Sequence, residues 1–354
     1  MNIFGAFLST GEYNLVMGAV NNLIGIVLII VKIAVVIAAT MFHVLYATYF
    51  ERKVIGHMQV RLGPMRVGFH GLLQPLADGM KLFFKEDIVP AAADQTVFKI
   101  APIIPVFATL SALAVIPFFQ GFVIANINVG LLYLFAMSSL AAYGVVMAGW
   151  ASNSKYSFLG GLRSSAQVIS YEVSMGLSLV GVMILSGSLN LTEIVNAQQQ
   201  HWYGMFIFPQ FLGYFVFLVS AFAETNRTPF DLPEAESELV AGYFTEYSGM
   251  RFAFYYAAEY IGMIVMSCIA VICFWGGWTL PPFITNAIPA LAVVPGIVWF
   301  LGKVYFHIFL YYWVRATVPR YRYDQLMSLG WKVLLPLALA NIVVTSVVKF
   351  MAGH

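Results

Sequence analysis

The sequence predicts an all-α, polytopic helical membrane protein of about eight transmembrane helices, with one further helix lying in the interface on the cytoplasmic side. Three observations carry this expectation. Of 354 residues, 61% are hydrophobic and only 10% charged, against about a quarter charged in an ordinary soluble domain, which excludes a water-soluble globule. The apolar residues form blocks long enough to cross a hydrocarbon core of roughly 30 Å at about 1.5 Å per residue. Those blocks are continuously apolar rather than alternating, which disfavours a β-barrel and its period of two.

The blocks cover residues 20–46, 100–119, 129–150, 166–185, 206–223, 252–275, 288–312 and 331–350. The first is longer than the apolar core of a signal peptide and lacks a basic leader, so it reads as a retained span. Residues 1–354 read as a single integral membrane domain with loops at 47–99, 151–165, 224–251 and 313–330. An even number of spans puts both termini on one face, and the basic residues decide which. Seven lie between the first two spans (Arg52, Lys53, Arg61, Arg66, Lys81, Lys85, Lys99) and two between the third and fourth (Lys155, Arg163). Two flank the loop after the fifth (Arg227, Arg251) and four surround the loop after the seventh (Arg315, Arg320, Arg322, Lys332). The intervening loops carry none, so the positive-inside rule makes the basic loops cytoplasmic and leaves both termini outside.

Within the first basic loop, Leu72, Leu73, Leu76, Met80, Phe83 and Phe84 fall on one face of a helical pattern and Asp78, Lys81 and Lys85 on the other. The pattern predicts an interfacial helix, or one covering another protein of a complex. Cys268 and Cys273 share one apolar block with no further cysteine to complete a metal or cluster site, and read as packed or lipid-facing thiols. There is no dinucleotide-binding glycine motif, P-loop or zinc-binding H-E-x-x-H helix, so nucleotide or zinc chemistry would reside on a partner.

Charges inside spans need a partner or a hydrated path. Glu172, Glu259, Lys32 and Lys303 lie inside predicted spans, and His307 shares a helix face with Lys303 four residues earlier. The stretch Glu224 to Arg251 holds six acids (Glu224, Asp231, Glu234, Glu236, Glu238, Glu246) against Arg227 and Arg251, on a side otherwise rich in positive charge. Asp231 with Pro233 and Glu234 also fits a helix start. Glu234 and Glu238, four apart, would disfavour each other's charge. Two readings stand for these groups: a hydrated path in which carboxylates and Lys303 exchange protons, or interhelical ion pairs beside a solvated acidic face.

Several segments in order resemble the H subunits of proton-pumping NADH:quinone oxidoreductase, respiratory complex I, the family of membrane subunits at the quinone site. They are Glu51-Arg52-Lys53 with Gln59 to Pro64, Gly71 to Glu86, Ile169 to Val173 around Glu172, Glu224 to Tyr243, and Pro319 to Met327. Met65 departs from an asparagine common after the Gly-Pro, and Phe69-His70 from a commonly proline-containing pair.

The resemblance implies a subunit with no redox centre of its own, which helps enclose a chamber for a quinone substrate, ubiquinone or menaquinone. Electrons would come from NADH through FMN and iron-sulfur clusters on partner subunits. The implied partners are peripheral quinone-site subunits with the terminal cluster, small membrane subunits, antiporter-like subunits and the bilayer of the cell inner membrane, with no nucleic acid. Arg52, Arg61 and Asp78 would line or gate the chamber, and Arg315, Arg320, Arg322 and Asp324 would shape it through charge pairs. Glu172, Glu224, Asp231, Glu234, Glu236, Glu238, Glu246 and Glu259, with Lys303, would carry protons toward the antiporter-like subunits. Related subunits of membrane-bound hydrogenases and formate hydrogenlyases share the scaffold, but the full acidic stretch and complete first loop favour the quinone enzyme. An independent secondary transporter would predict inverted repeats, and no convincing repeat is present.

Overall fold

A computed structural model describes residues 10–201, 203–231 and 240–351. The chain divides into two compact units, Met1–His43 and Val44–His354. The described part of the first unit belongs to helix α1 (Thr10–Met58), whose Ile24, Ile26, Leu28 and Ile30 are exposed as in a lipid-facing span. The second unit holds the end of α1, then α2 (Gln74–Phe84), α3 (Gln95–Ile100), α4 (Ile103–Ala112), α5 (Gly130–Ala151) and α6 (Lys155–Ser186). It continues with α7 (Leu191–Gln199), α8 (Phe211–Glu224), α9 (Gly249–Phe274), α10 (Pro282–Ala287), α11 (Gly296–Thr317), α12 (Tyr323–Leu329) and α13 (Leu335–Met351).

Seven helical stretches among the described residues are long and apolar enough to cross a membrane. The only β pairing among them is an isolated bridge between Phe119 and Phe122. The all-α, multi-pass expectation therefore holds, with corrections at prolines. The fifth apolar block begins in turns at 206–210 and yields a 14-residue helix, α8, because Pro209 offers no amide and restricts the residue before it. The seventh block starts later than its hydropathy suggests: Pro289 opens a short 3-10 segment, Pro289–Val293, and α11 begins only after Pro295. The second span starts before its block and ends before it, Gln95–Val115, with turns at Ala101 and Pro102 separating α3 from α4. The interfacial helix forms as α2, starting with Pro75 in its first turn and leaving Leu76, Met80, Phe83 and Phe84 exposed.

Helix α9 is the axis of the second unit: 83% of its most apolar window is buried, against 22% for the last span. Small residues let its neighbours close in around it. A Cβ on Gly149 of α5 would lie 2.7 Å from the Ser157 carbonyl oxygen of α6, and one on Gly160 would lie 2.7 Å from Gly242 Cα. Backbones at this separation exclude any larger side chain, and such contact is how helices gain packing energy where lipid offers no hydrophobic drive. Segment 240–248 is anchored by an aromatic cluster in which Phe98 of α3 stacks on Tyr247 at 4.1 Å and Tyr255 of α9 meets Tyr243, Phe244 and Tyr247. The first loop is tied to the start of α9 by the Arg251–Asp87 ion pair at 3.0 Å and by Ser248, which accepts from the Ile88 amide and donates to the Glu86 carbonyl. The two elements that carry the charged groups below are thereby held together.

Candidate functional site

Near the end of α1, the Glu51 side chain turns into the bundle and is only 4% exposed. A buried carboxylate must be paired or neutralised, and Glu51 is heavily paired. Arg315 of α11 forms an ion pair with it, Tyr260 of α9 donates to it at 2.5 Å, and Arg227 lies 3.4 Å from both of its oxygens. Tyr256, one turn before Tyr260, exchanges a hydrogen bond with it at 2.9 Å. Arg227 sits just past α8, its guanidinium over the Tyr260 ring at 4.2 Å, with Nη2 3.9 Å from Glu259. Burial works against the Arg227 charge, but the Tyr260, Glu51 and Glu259 side chains outweigh it and raise its pKa well above the ordinary arginine value. The result is a row, Arg315, Glu51, Arg227, Glu259, in which signs alternate, exposed at Arg315, buried at Glu51 and Arg227 and partly buried at Glu259.

The row has an open space at each end. On one side is a polar cleft of roughly 750 Å³ with its open mouth included, bordered by Arg52, Arg61, Arg315, Glu51, Tyr256 and Tyr260. On the other is a mainly apolar pocket of about 600 Å³, its open mouth included, between α4, α5, α6, α8 and α9, on whose wall Glu224, Glu259 and Ser138 meet. Ser138 and its neighbour Ser139 both donate to Glu172 of α6. Carboxylates and hydroxyls thus follow one another from the cleft to α6: Glu51, Glu259, Glu224, Ser138 and Glu172. Such a set can hold protons at several points and pass a change of charge from one to the next.

The residues singled out in the sequence distribute as follows. Arg52 and Arg61 border the cleft; Arg52 pairs with Asp78 of α2 at 2.6 Å, and Gln74 donates to the other Asp78 oxygen at 2.9 Å. Arg61 donates to Gln59. Arg320 pairs with buried Asp231 at 3.0 Å, while Arg322 and Asp324 pair with each other at 3.3 Å on the exposed surface. Glu246 lies partly buried in the turn before α9, on the wall of neither cleft nor cavity. Glu234, Glu236 and Glu238, the helix start at Asp231 and the Glu234/Glu238 pairing lie outside the described residues. Lys303 donates to the carbonyls of Trp275, Gly277 and Thr279 beyond the end of α9, rather than to a carboxylate. His307 is a packed polar contact, bonded to Tyr214 at 3.0 Å and to the Lys303 carbonyl at 2.8 Å. Cys268 and Cys273 are buried free thiols.

The residues absent from the expected set are those at its centre. Sequence reasoning reaches Glu51 only as part of a motif and Arg227 only in a charge count, and it misses Tyr256, Tyr260, Ser138 and Ser139. One local signal exists: Tyr256 and Tyr260 are i and i+4 on the helix that carries Glu259, so two hydroxyls share a face beside a carboxylate.

Fold and site together define a polytopic helical membrane protein that keeps a connected set of charges inside its bundle. Comparison with known proteins gives the class a family. The model of the family described as NADH dehydrogenase matches residues 31–346. A protein of Paramagnetospirillum magneticum, named as the H subunit of NADH-quinone oxidoreductase, is 54% identical over 328 residues, covering 93% of this chain and 94% of its own. Proteins of the same name from Rhodospirillum rubrum and Magnetococcus marinus are each 56% identical, covering 90% and 88% of this chain and 93% and 88% of their own. The chain belongs to the NADH dehydrogenase family, as a membrane subunit similar to the H subunits of NADH-quinone oxidoreductase.

Proposed function

We propose that this chain forms the membrane wall of the quinone chamber and carries the first steps of the path that links quinone reduction to proton translocation. The observation that carries this reading is the alternating row Arg315, Glu51, Arg227, Glu259 between an arginine-bordered cleft and a carboxylate-bearing cavity. Two-electron reduction of a quinone takes up two protons, and in a water-poor chamber the charge must be compensated nearby. Arg52, Arg61 and Arg315 offer donors to the quinone oxygens as negative charge develops on them, the arrangement that favours such a step electrostatically. Asp78 holds Arg52 in place, and Arg320, Arg322 and Asp324 shape the loop beside the chamber. Glu259, Glu224 and Glu172 then carry protons onward, with Asp231, Glu234, Glu236, Glu238 and Glu246 serving proton entry from the acidic loop.

Ubiquinone or menaquinone is the substrate, and NADH, FMN and the iron-sulfur clusters belong to partner subunits. Peripheral quinone-site subunits close the chamber, and small membrane and antiporter-like subunits receive the signal.

Replacing Arg61 or Asp78 with alanine is expected to lower quinone reductase activity by about tenfold to a hundredfold, the range a misplaced reactant produces. NADH oxidation with an artificial acceptor should stay at the parental level in the same assembled complex. Normal quinone kinetics in well-assembled variants would remove both residues from the chamber.

In the cell inner membrane, both termini face away from the cytoplasm, because 15 of the 18 basic residues sit in alternate loops. A cysteine label placed after His354 should react from the non-cytoplasmic side only. Labelling from the cytoplasm would refute this topology.

A further inference from the structure

Three lysines, Lys32, Lys303 and Lys349, fall outside the basic loops, and two of them close the ends of helices other than their own. Lys303 of α11 donates to the carbonyls of Trp275, Gly277 and Thr279, at 2.6, 3.0 and 2.6 Å, where α9 ends. Lys349 of α13 donates to the carbonyl of Ile184, in the last turn of α6. The last carbonyls of a helix lack partners within it and carry the negative end of its dipole, so a cation from a neighbouring helix satisfies both needs. Three carbonyls around one nitrogen call for three N–H donors, which the ammonium form of Lys303 supplies.

The two helices closed in this way are those that carry Glu172 and Glu259. At a rise of about 1.5 Å per residue, Glu172 lies about 18 Å before Ile184 on α6, and Glu259 about 24 Å before Trp275 on α9. The closed ends adjoin: Gln198 of α7, the helix after α6, donates to the Ile272 carbonyl at 2.7 Å and accepts from the Gly276 amide at 3.0 Å. Between carboxylates and closed ends the interior is apolar. There α9 buries Ile264, Cys268, Ile269, Val271 and Ile272, and its one hydroxyl, Ser267, is turned onto the Met263 carbonyl at 2.7 Å. A smaller apolar pocket, roughly 370 Å³ with its open mouth included, shares Thr109, Ser138, Gly262 and Met266 with the carboxylate-bearing pocket and extends toward Ile269.

We infer that Lys303 and Lys349 form an electrostatic seal across the end of the bundle away from the cleft, which keeps protons from crossing there to or from the interior carboxylates. This rests on the reading that Glu172 and Glu259 carry protons. A fixed positive charge at a constriction repels protons and other cations, as it does in selective pores. Stretches 121–128, 186–205 and 276–286, which lie at this end, contain no Lys or Arg, and their one acid, Glu193, is held by Ser188. The two lysines therefore set the sign of the charge there. Removing one uncovers the carbonyls it served and turns a positive mouth into a partly negative one, which admits water and draws protons.

The test is the passive decay of a pH gradient across phosphatidylcholine vesicles holding the intact complex, without NADH, followed with trapped pyranine while valinomycin and potassium clamp the potential. Lys303→Gln and Lys349→Gln each keep amide donors and lose the charge. Both should let the gradient decay severalfold faster than the parent, whereas Lys349→Arg, which keeps the cation, should be as tight as the parent. Tight vesicles with both glutamine variants, alongside a lower melting temperature, would show that the lysines only cap helices, and overturn the inference. A leak of equal size in Lys349→Arg overturns it too, because lost packing rather than lost charge would then open the route. Tight vesicles with lost quinone-linked turnover in Lys303→Gln would put that lysine on the proton path instead. Should Lys303→Gln fail to assemble, the two Lys349 variants decide. The reading beneath the inference fails differently: Glu172→Gln and Glu259→Gln complexes that pump at parental rates remove the proton path, whatever the leak, and the seal with it.

Discussion

Replacing Arg227 with methionine is expected to be among the most damaging single changes in the chain. The side chain it removes is 6% exposed and lies between buried Glu51 and partly buried Glu259. Breaking a buried ionic group by deleting one member costs about 3–5 kcal/mol, because the remaining charges keep their desolvation penalty and lose their compensation. Arg315 still serves Glu51, while Glu259 loses the guanidinium that stands 3.9 Å from it. The expected outcome is less assembled complex on native gels and a lower melting temperature, with quinone-linked turnover lost in what assembles. Parental stability and turnover together would show that the row is decorative.

Gly71→Ala is expected to be nearly as severe, for a steric reason. Gly71 has φ +82, in the left-handed region, and a Cβ there would stand 2.2 Å from the Pro64 carbonyl oxygen. No rotamer relieves a clash with backbone, so the Pro64 turn must move, at a cost of about 1–3 kcal/mol for overpacking and a similar amount for the backbone. Gly71 precedes α2, which carries Asp78, and Tyr49 of α1 donates to the adjacent His70 carbonyl at 2.8 Å. Displacing this turn therefore disturbs the cleft border at Arg52 and Asp78. Quinone reductase activity should fall about a hundredfold, the effect of a shift of roughly 1 Å at a reacting centre. Oxidation of NADH with an artificial acceptor should persist. Unchanged quinone kinetics would mean that the first loop does not position the chamber.

Both changes act at residues whose importance depends on tertiary placement, and this separates what was legible in the sequence from what was not. Long apolar blocks announce spans because each must bury or expose a whole helix, and α5, α9 and α13 follow that signal closely, while α6 starts at Lys155, well before its block and inside the expected loop 151–165. Hydropathy says nothing of where a helix breaks, so α8 and α11 start just past Pro209 and Pro295, where the backbone, not the side chains, decides. The face of α2 was legible from its period, because Leu76, Met80 and Phe83 recur at helical spacing.

The site was legible only in part. Glu172 and Glu259 stand out because a carboxylate in an apolar block is costly, and Glu224 because it opens a dense acidic stretch. The pairing of Glu51 with Arg227 joins residues 176 apart, and no local spacing reveals such a contact. Lys303 has the same intramembrane signature as the carboxylates, yet its partners are backbone carbonyls, which a sequence does not display as acceptors. Arg322 and Asp324 share a loop with Arg315 and Arg320, but of the two pairs only Arg315 and Arg320 reach buried acids, at Glu51 and Asp231.

The central claim is that these carboxylates move protons in step with quinone reduction, and the most direct measurement follows both processes in one preparation. Complexes bearing Glu172→Gln, Glu224→Gln or Glu259→Gln, each reconstituted into vesicles, would be assayed for quinone reduction and for proton uptake, with assembly checked on native gels. Glutamine keeps size and hydrogen bonding but deletes the titratable proton. A proton path predicts assembled complexes in which quinone-linked turnover and pumping are lost together, while NADH oxidation with an artificial acceptor continues. If all three variants assemble, reduce quinone and pump at parental rates, the carboxylates brace helices and carry no protons.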